Sequence, residues 1–542
     1  MKLWNVSFDF VAVILILALP FVEFVHTNII IFEVVTVYIL AGYAAAALAI
    51  TLLINTYPNR LFRSVIFTTI IILFLDARVD IVRQIGLQTW FVAIGLLVAI
   101  WLVHKKTPAI LVAVFGGIFV GVFFIEAFPK VHEYPTAHPT NGGQTTDLPV
   151  YVHIILDEYI GLEALDESID AQKDLKRSAH DLFINNGFRL FGRAYAEYYD
   201  TYDSLSAAFN SYRGLDPGIF YQRDISANEY TLTENKYLRD LHSSGYNVQI
   251  YQNSFLNYCG PLKNIIQRCL TYSSFNISGW ALEQLDTGEK LDVILSKFGF
   301  VYSRTTLHQA YTKVAATAAR FGITLPTWYI PPPSDLGPIP VLPVFDQLIS
   351  DIVDTPKGTL FFAHLLLPHS TYSVDQACNI RGPAASWKTT ELLQPLSDGR
   401  INTARSYAEK YEDYIDQSQC ALVMLDRLIQ AMRSAGIYDN AIIIIHGDHG
   451  SRITRFKPRS ANQNKLVAQD YYDGFSTLFA VKAPHITPGY DLQMLPLERL
   501  LRLAEGDLSA IAEPADEHFV YLREALPPSS VIKVPMPEIP GG

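Results

Sequence analysis

The chain has 542 residues, half of them hydrophobic, a mean hydropathy of +0.18 and a net charge of -11. An acidic balance of that size excludes nucleic acid as the partner, because phosphate backbones recruit basic surfaces. The hydropathy is too high for a purely soluble enzyme, and the length allows one large domain plus something else.

The apolar excess sits at the start. Five runs, at 8–25, 29–54, 61–75, 89–103 and 109–128, approach the roughly 20 residues that cross a bilayer. Arg60 and Arg63 lie between the second and third runs, and Lys105 and Lys106 between the fourth and fifth. Basic loops stay in the cytoplasm, so the N-terminus is expected inside. Five spans then put everything after Phe128 outside. Glu23 and Glu33 fall near the outer end of the first pair. The segment 129–149 is polar and rich in Pro and Gly, as a linker would be. The rest, 150–542, has the length of one large α/β domain.

In that part, β-branched apolar runs at 150–156, 246–252, 359–367 and 441–446 predict interior strands of a mostly parallel sheet. A helix is predicted over 407–436, where Leu425, Leu428, Ile429 and Met432 recur at i, i+3, i+4, i+7 and Gly436 ends the pattern. Strands alternating with helices indicate an α/β fold whose ligands bind beyond the carboxyl ends of the strands. Three strands finish in polar residues there: Asp157-Glu158, Pro368-His369 and Asp448-His449. The stretch 327–345 is Pro-rich and extended, and the tail from 527 reads as a loosely held end.

Asp157 with Asp448 and His449 makes an O/O/N donor set that suits a divalent cation, Mn²⁺ or Zn²⁺ ahead of Mg²⁺ and Ca²⁺. Thr201 precedes a short helical pattern, so its hydroxyl falls at a helix N-terminus that favours anions, with Ser204 as the rival nucleophile. All four cysteines (Cys259, Cys269, Cys378 and Cys420) lie in the outer part, where an even count favours disulfides. Cys259 with Cys269 would close a short loop and leave Cys378 with Cys420, one of three pairings the sequence permits.

The order of these elements resembles the membrane-anchored, sulfatase-like branch of the alkaline phosphatase superfamily, which includes lipoteichoic acid synthase and the phosphoglycerol and phosphoethanolamine transferases. The resemblance implies an alkaline-phosphatase-like α/β domain behind five transmembrane helices. It makes Asp157, Thr201, Asp448 and His449 the metal ligands. In this branch the nucleophile lies several residues before a segment matched here by Ala208-Phe209-Asn210-Ser211, and that spacing selects Thr201. His369 matches the family's Pro-His element and is expected to act on the phosphoryl oxygen or leaving group. Arg452 is a further candidate contact to the substrate; Glu158 is expected either to bind the metal directly or to steady its ligands from behind, and His446 to steady them or to lie in the core. His364 is expected to be structural, and His485 to lie in a surface loop.

The resemblance implies transfer of a phospho-alcohol head group from a phospholipid donor to a glycan or lipid acceptor, through a phosphothreonine, at the bacterial cytoplasmic membrane. The segment around Thr201 lacks the C/S-x-P/A-x-R pattern of formylglycine sulfatases, which disfavours sulfate esters. A phosphodiesterase or sulfatase using water, and a catalytically silent envelope protein, are the other readings.

Overall fold

The computed structural model describes residues 2–27, 33–79, 88–124, 147–224, 229–273, 285–301, 314, 317, 336–354, 357–382, 387–391, 395–507, 509–512, 518–524 and 531–540. The linker at 129–149 falls largely outside them, as does the first half of the Pro-rich stretch at 327–345; its second half is not extended as expected but turns into a helix that begins at Val341. The chain forms two compact units. One comprises residues 1–129 with 276–334 and 382–386; the other comprises 130–275, 335–381 and 387–542.

In the first unit the apolar runs form α1 (Lys2–Thr27), α2 (Val34–Thr56), α3 (Arg60–Val79), α4 (Gln88–Leu102) and α5 (Thr107–Phe124). Central α1 packs on α2, α3 and α5 through Val13, Ile16 and Leu19, while Leu48, Leu52, Phe91 and Val114 point outward. Among the described residues only α1 (over Phe8–His26) and α2 are long and apolar enough to cross a membrane. The expectation of five spans is corrected to these two. The physical reason is charge and length. Helix α3 carries Arg60, Arg63, Asp76 and Arg78. The apolar parts of α4 and α5 run only Phe91–Leu102 and Thr107–Val122. At 1.5 Å per residue these reach about 18 and 24 Å, short of a hydrocarbon core of about 30 Å. The sidedness inferred from an odd number of spans loses its support with them. A helix from mid-sequence, Thr287–Val301, belongs to the same unit. Its Phe298 meets Phe21 edge-on at 5.2 Å, and its Lys290 pairs with Glu33 at 3.0 Å.

The second unit is built on an eight-stranded sheet. In chain order its first half supplies β1 (Tyr151–Leu156), α6 (Asp170–Asn185), β2 (Arg189–Phe191), α7 (Thr201–Phe209), β3 (Tyr221–Asp224), β4 (Glu229–Leu232), α8 (Lys236–Ser243), β5 (Asn247–Asn253), β6 (Leu256–Asn257) and β7 (Ile266–Tyr272). The second half supplies α9 (Val341–Asp354), β8 (Thr359–Leu365), α10 (Ala404–Ser434), β9 (Ile442–His446), α11 (Ala468–Phe475), β10 (Phe479–Lys482), β11 (Gly489–Asp491), α12 (Leu497–Ala504), β12 (Phe519–Arg523) and β13 (Val531–Pro535). The strand order is β11-β2-β10-β9-β1-β8-β5-β7, with β10 antiparallel to both its neighbours and every other pairing parallel. A short sheet of β3, β4 and β6 and a β12–β13 hairpin complete the unit.

Helices cover both faces, which is why the central strands read as unbroken apolar runs. Ile443 and Ile445 face α6, α9 and α10, and Ile444 faces α7, α8 and α12. The expected stripe of Leu425, Leu428, Ile429 and Met432 is the buried face of α10. That helix starts earlier than its apolar pattern, at a capping box made by Thr403 and Ser406. Gly436, at φ +71°, follows its end. The cysteines pair as Cys259–Cys269 and Cys378–Cys420. The tail is not loose as expected: β13 pairs with β12, and Val534, Met536 and Ile539 are buried in the main core.

Candidate metal centre and nucleophile

Strand β1 lies between β9 and β8, all three parallel, so their carboxyl ends meet at one edge of the sheet. Strand β1 delivers Asp157 and Glu158, β9 delivers Asp448 and His449, and β8 delivers His364 and, three residues past Leu366, His369. The two glycines of the β9 turn are dictated by close approach. A Cβ on Gly447 would collide with the Tyr159 carbonyl and the Thr477 hydroxyl, and one on Gly450 with the Asp473 carbonyl. Glu158 adopts a left-handed backbone (φ 67°), and its N–H donates to Asp448 Oδ1 at 3.0 Å.

Asp157, Asp448 and His449 are fully buried, and their ligand atoms all lie within 4.8 Å of one another. His449 Nδ1 lies 3.0 Å from the Gly450 carbonyl, a contact that requires its proton there and leaves the Nε2 lone pair facing the cluster. Nε2 is 2.9 Å from Asp448 Oδ2 and 3.1 Å from the Thr201 hydroxyl. Asp157 Oδ2 is 3.0 Å from His364 Nε2. Asp157 Oδ1 and Asp448 Oδ2 are buried without a hydrogen-bond partner. Two bare carboxylate oxygens, an inward imidazole nitrogen and a hydroxyl form a donor set that fits a divalent cation such as Zn²⁺ or Mn²⁺. Leaving such oxygens unpaired would otherwise be costly.

A second group adjoins the first through Asp157: Glu158 and His369. Glu158 Oε1 is 3.6 Å from both His369 Nε2 and the Arg452 guanidinium, and Oε2 accepts the Ser370 N–H at 3.1 Å. Gln417 on α10 donates to the carbonyls of Pro368 and His369, at 2.9 and 2.8 Å, and so fixes that turn. Burial pushes the Glu158 carboxyl up, against the pull of His369 and Arg452. Burial also works against ionised Asp448, but the charge of the adjoining His449 outweighs it and holds that carboxyl far below its usual range. His449 answers in kind: burial lowers it, Asp448 raises it, and the net shift is upward.

Every residue expected at the site except His446 converges here: Asp157, Glu158, Thr201, His369, Asp448, His449 and Arg452. Thr201 is the first residue of α7, and its side chain aims at His449 rather than capping the helix. Ser204 is a brace, its hydroxyl donating to the Asp448 carbonyl at 2.6 Å. His446 points into the core instead of backing the ligands. Its Nε2 meets His153 Nε2 at 2.7 Å, its ring stacks on Phe479, and burial brings its pKa down to about 4. A hydrogen-bonded run continues from His153 to Tyr237 and Tyr151. His485 is exposed in the turn after β10.

One residue was misjudged in the sequence and three went unnoticed. His364, expected to be structural, contacts Asp157 directly and is held from behind by the Tyr258 hydroxyl at 3.0 Å. Asp200, Arg459 and Tyr199 form a buried group beside Thr201. The one sequence signal for it was an Asp immediately before the candidate nucleophile.

No protein-family model matches the chain. No curated protein matches it either. Solved structures do. The chain is similar to the C-terminal periplasmic domain of EcEptC from Escherichia coli (12% identity, 69% of this chain and 89% of that chain, TM-score 0.37). It is also similar to the phosphonate monoester hydrolase of Agrobacterium radiobacter (11% identity, 69% of this chain and 80% of that chain, TM-score 0.38). A third similar structure is BT1596, a 2-O GAG sulfatase (12% identity, 70% of this chain and 78% of that chain, TM-score 0.40).

Proposed function

We propose that this chain is a metal-dependent, sulfatase-like phosphotransferase. It moves a phospho-alcohol head group from a phospholipid to a glycan or lipid acceptor of a bacterial envelope, by way of a phosphothreonine at Thr201. The observation that carries this reading is the Thr201 hydroxyl 3.1 Å from His449 Nε2, beside two buried carboxylate oxygens without hydrogen-bond partners. The resemblance seen in the order of the motifs supports the same reaction class.

Asp157, Asp448, His449 and Thr201 would hold the cation, and when bound it supplies Lewis acidity and lowers the pKa of an attached hydroxyl. The residues of the chain account for the rest. Thr201 Oγ, at the head of α7, attacks phosphorus; the new P–O bond forms as the bond to the diacylglycerol oxygen breaks, and the hydroxyl proton passes to solvent. His369, backed by Glu158 and entering the step protonated, is placed to give its own proton to the departing oxygen. Arg452 and the first N–H groups of α7 face the charge on the equatorial oxygens. A second alcohol then takes the group from Thr201, with His369 now accepting its proton. Two disulfides fit an oxidising compartment, and α1 and α2 fit a membrane anchor that keeps the enzyme at its lipid donor.

The test is Thr201→Ala in the full chain with labelled phospholipid and Mn²⁺. Release of diacylglycerol should fall to background, at least about a thousandfold, while the wild type yields an acid-stable phosphothreonine. Retained activity in the variant would discard the reaction. Water as the only productive acceptor would instead favour a hydrolase.

A further inference from the structure

Asp200 is the N-cap residue of α7, next to Thr201, yet its carboxylate does not cap the helix. It accepts a two-pronged bond from Arg459, at 2.6 and 2.9 Å, and Arg452 stands at 3.9 Å. Asp200 is 7% exposed and Arg459 8%. Both guanidinium groups lie over the Tyr199 ring, at 4.8 and 5.2 Å, and that ring is stacked within 15° of parallel to His449. Arg459 also donates to the carbonyl of Arg523, whose own guanidinium pairs with Asp203 in the first turn of α7 at 2.9 Å. The helix start is thus held from two sides by arginines that come from distant segments.

The charges at that helix end have opposite tendencies. A helix N-terminus attracts anions, which suits a phosphoryl group arriving at Thr201. A carboxylate on the adjoining residue repels the same group across a few ångströms of weakly screening interior. Arg459 cancels that repulsion while its paired donors fix the Asp200 carboxylate, and with it the direction in which the chain enters α7.

We infer that Arg459 is a positioning residue for the reaction at Thr201: acting through Asp200, it aims the Thr201 hydroxyl at His449 and lets the site accept a phosphoryl anion. The inference rests on the proposed function only in taking Thr201 as the attacking group.

Binding of inorganic phosphate to the full chain in detergent, followed by calorimetry, tests it without a need for turnover. Arg459→Gln should weaken phosphate binding by about tenfold or more, because a buried carboxylate is left unpaired. The double variant Asp200→Asn with Arg459→Gln should recover to within about threefold of the wild type, a rescue that a purely structural role for Arg459 would not give. If Arg459→Gln alone fails to fold, Asp200→Asn alone carries the test, and it should bind phosphate at least as tightly as the wild type. Unchanged binding in Arg459→Gln, a double variant no better than the single, weakened binding in Asp200→Asn, or no phosphate binding by the wild type would each overturn the inference. Thr201→Ala separates the two proposals: it is expected to abolish turnover and to leave phosphate binding in place.

Discussion

Two buried aspartates near the same sheet edge have opposite surroundings. Asp448 is fully buried, and its Oδ2 has an ionic neighbour in His449 but no hydrogen bond. Asp473, on α11, is buried as deeply, and its carboxylate accepts Tyr411 at 2.6 Å, Tyr407 at 2.8 Å and Gln469 at 3.0 Å. Its carbonyl in turn receives the Arg452 N–H at 2.8 Å. One carboxylate has all its partners in hydroxyl and amide groups of the fold, and the other keeps an oxygen to which no group donates. Burial alone therefore does not distinguish a ligand from a brace, whereas the unfilled lone pair does.

The largest effect that could break this contrast is Asp448→Asn. Metal content of the purified chain should drop from one equivalent to near zero, and turnover of bis-p-nitrophenyl phosphate should fall at least about a thousandfold. The metal-free variant should also melt below the metal-free wild type, because the buried ion pair with His449 is broken. A variant that keeps its metal would show that Asp448 is a brace after all.

Chelation comes next in size. Stripping the metal should lower the melting temperature of the wild type by an amount equivalent to about 3–4 kcal/mol if the cation is present at several hundred times its Kd. The same treatment should leave Asp448→Asn unmoved. Equal shifts in both proteins would place the cation elsewhere.

Asp473→Asn should cost about 1–3 kcal/mol and leave metal content intact. Burial, partly offset by the tyrosine hydrogen bonds, pushes the Asp473 carboxyl up to about 7 from the ordinary 3.8. A group raised in the folded state binds its proton more tightly there, so its stabilisation is full below about pH 4 and is lost as pH rises through 7. Urea titrations across that window should therefore show a shallower loss of stability in Asp473→Asn than in the wild type. Equal slopes would mean that the carboxylate is ionised in both states.

How much of this was legible in the sequence depends on distance along the chain. Asp157, Asp448 and His449 were visible because each follows an apolar run, and a strand that ends in charged residues has few structural reasons to do so. Thr201 was visible through its place before a small-residue helix, although its choice over Ser204 needed the family pattern. Arg459 was not, since its partner lies 259 residues away and a basic loop residue ordinarily reads as solvated. His364 was hidden inside β8, where a buried histidine is usually core, whereas His446 took the core position that was one of its two readings. The five apolar helices were readable, but hydropathy could not weigh the charges of α3 or the shortness of α4 and α5. The tail misled because Pro-rich composition masks a strand of only five residues.

The helix Thr287–Val301 has a practical bearing on anyone wishing to isolate the catalytic part. Because it comes from the middle of the sequence and yet packs Phe298 against Phe21, cutting the chain after residue 129 does not part the two units. A truncated protein would carry an orphaned aromatic surface into solution and should aggregate or cling to detergent. A clean excision has to remove the segments 276–334 and 382–386 as well and rejoin the ends at each, so for this molecule the domain boundary is a cut and two splices rather than a single cut.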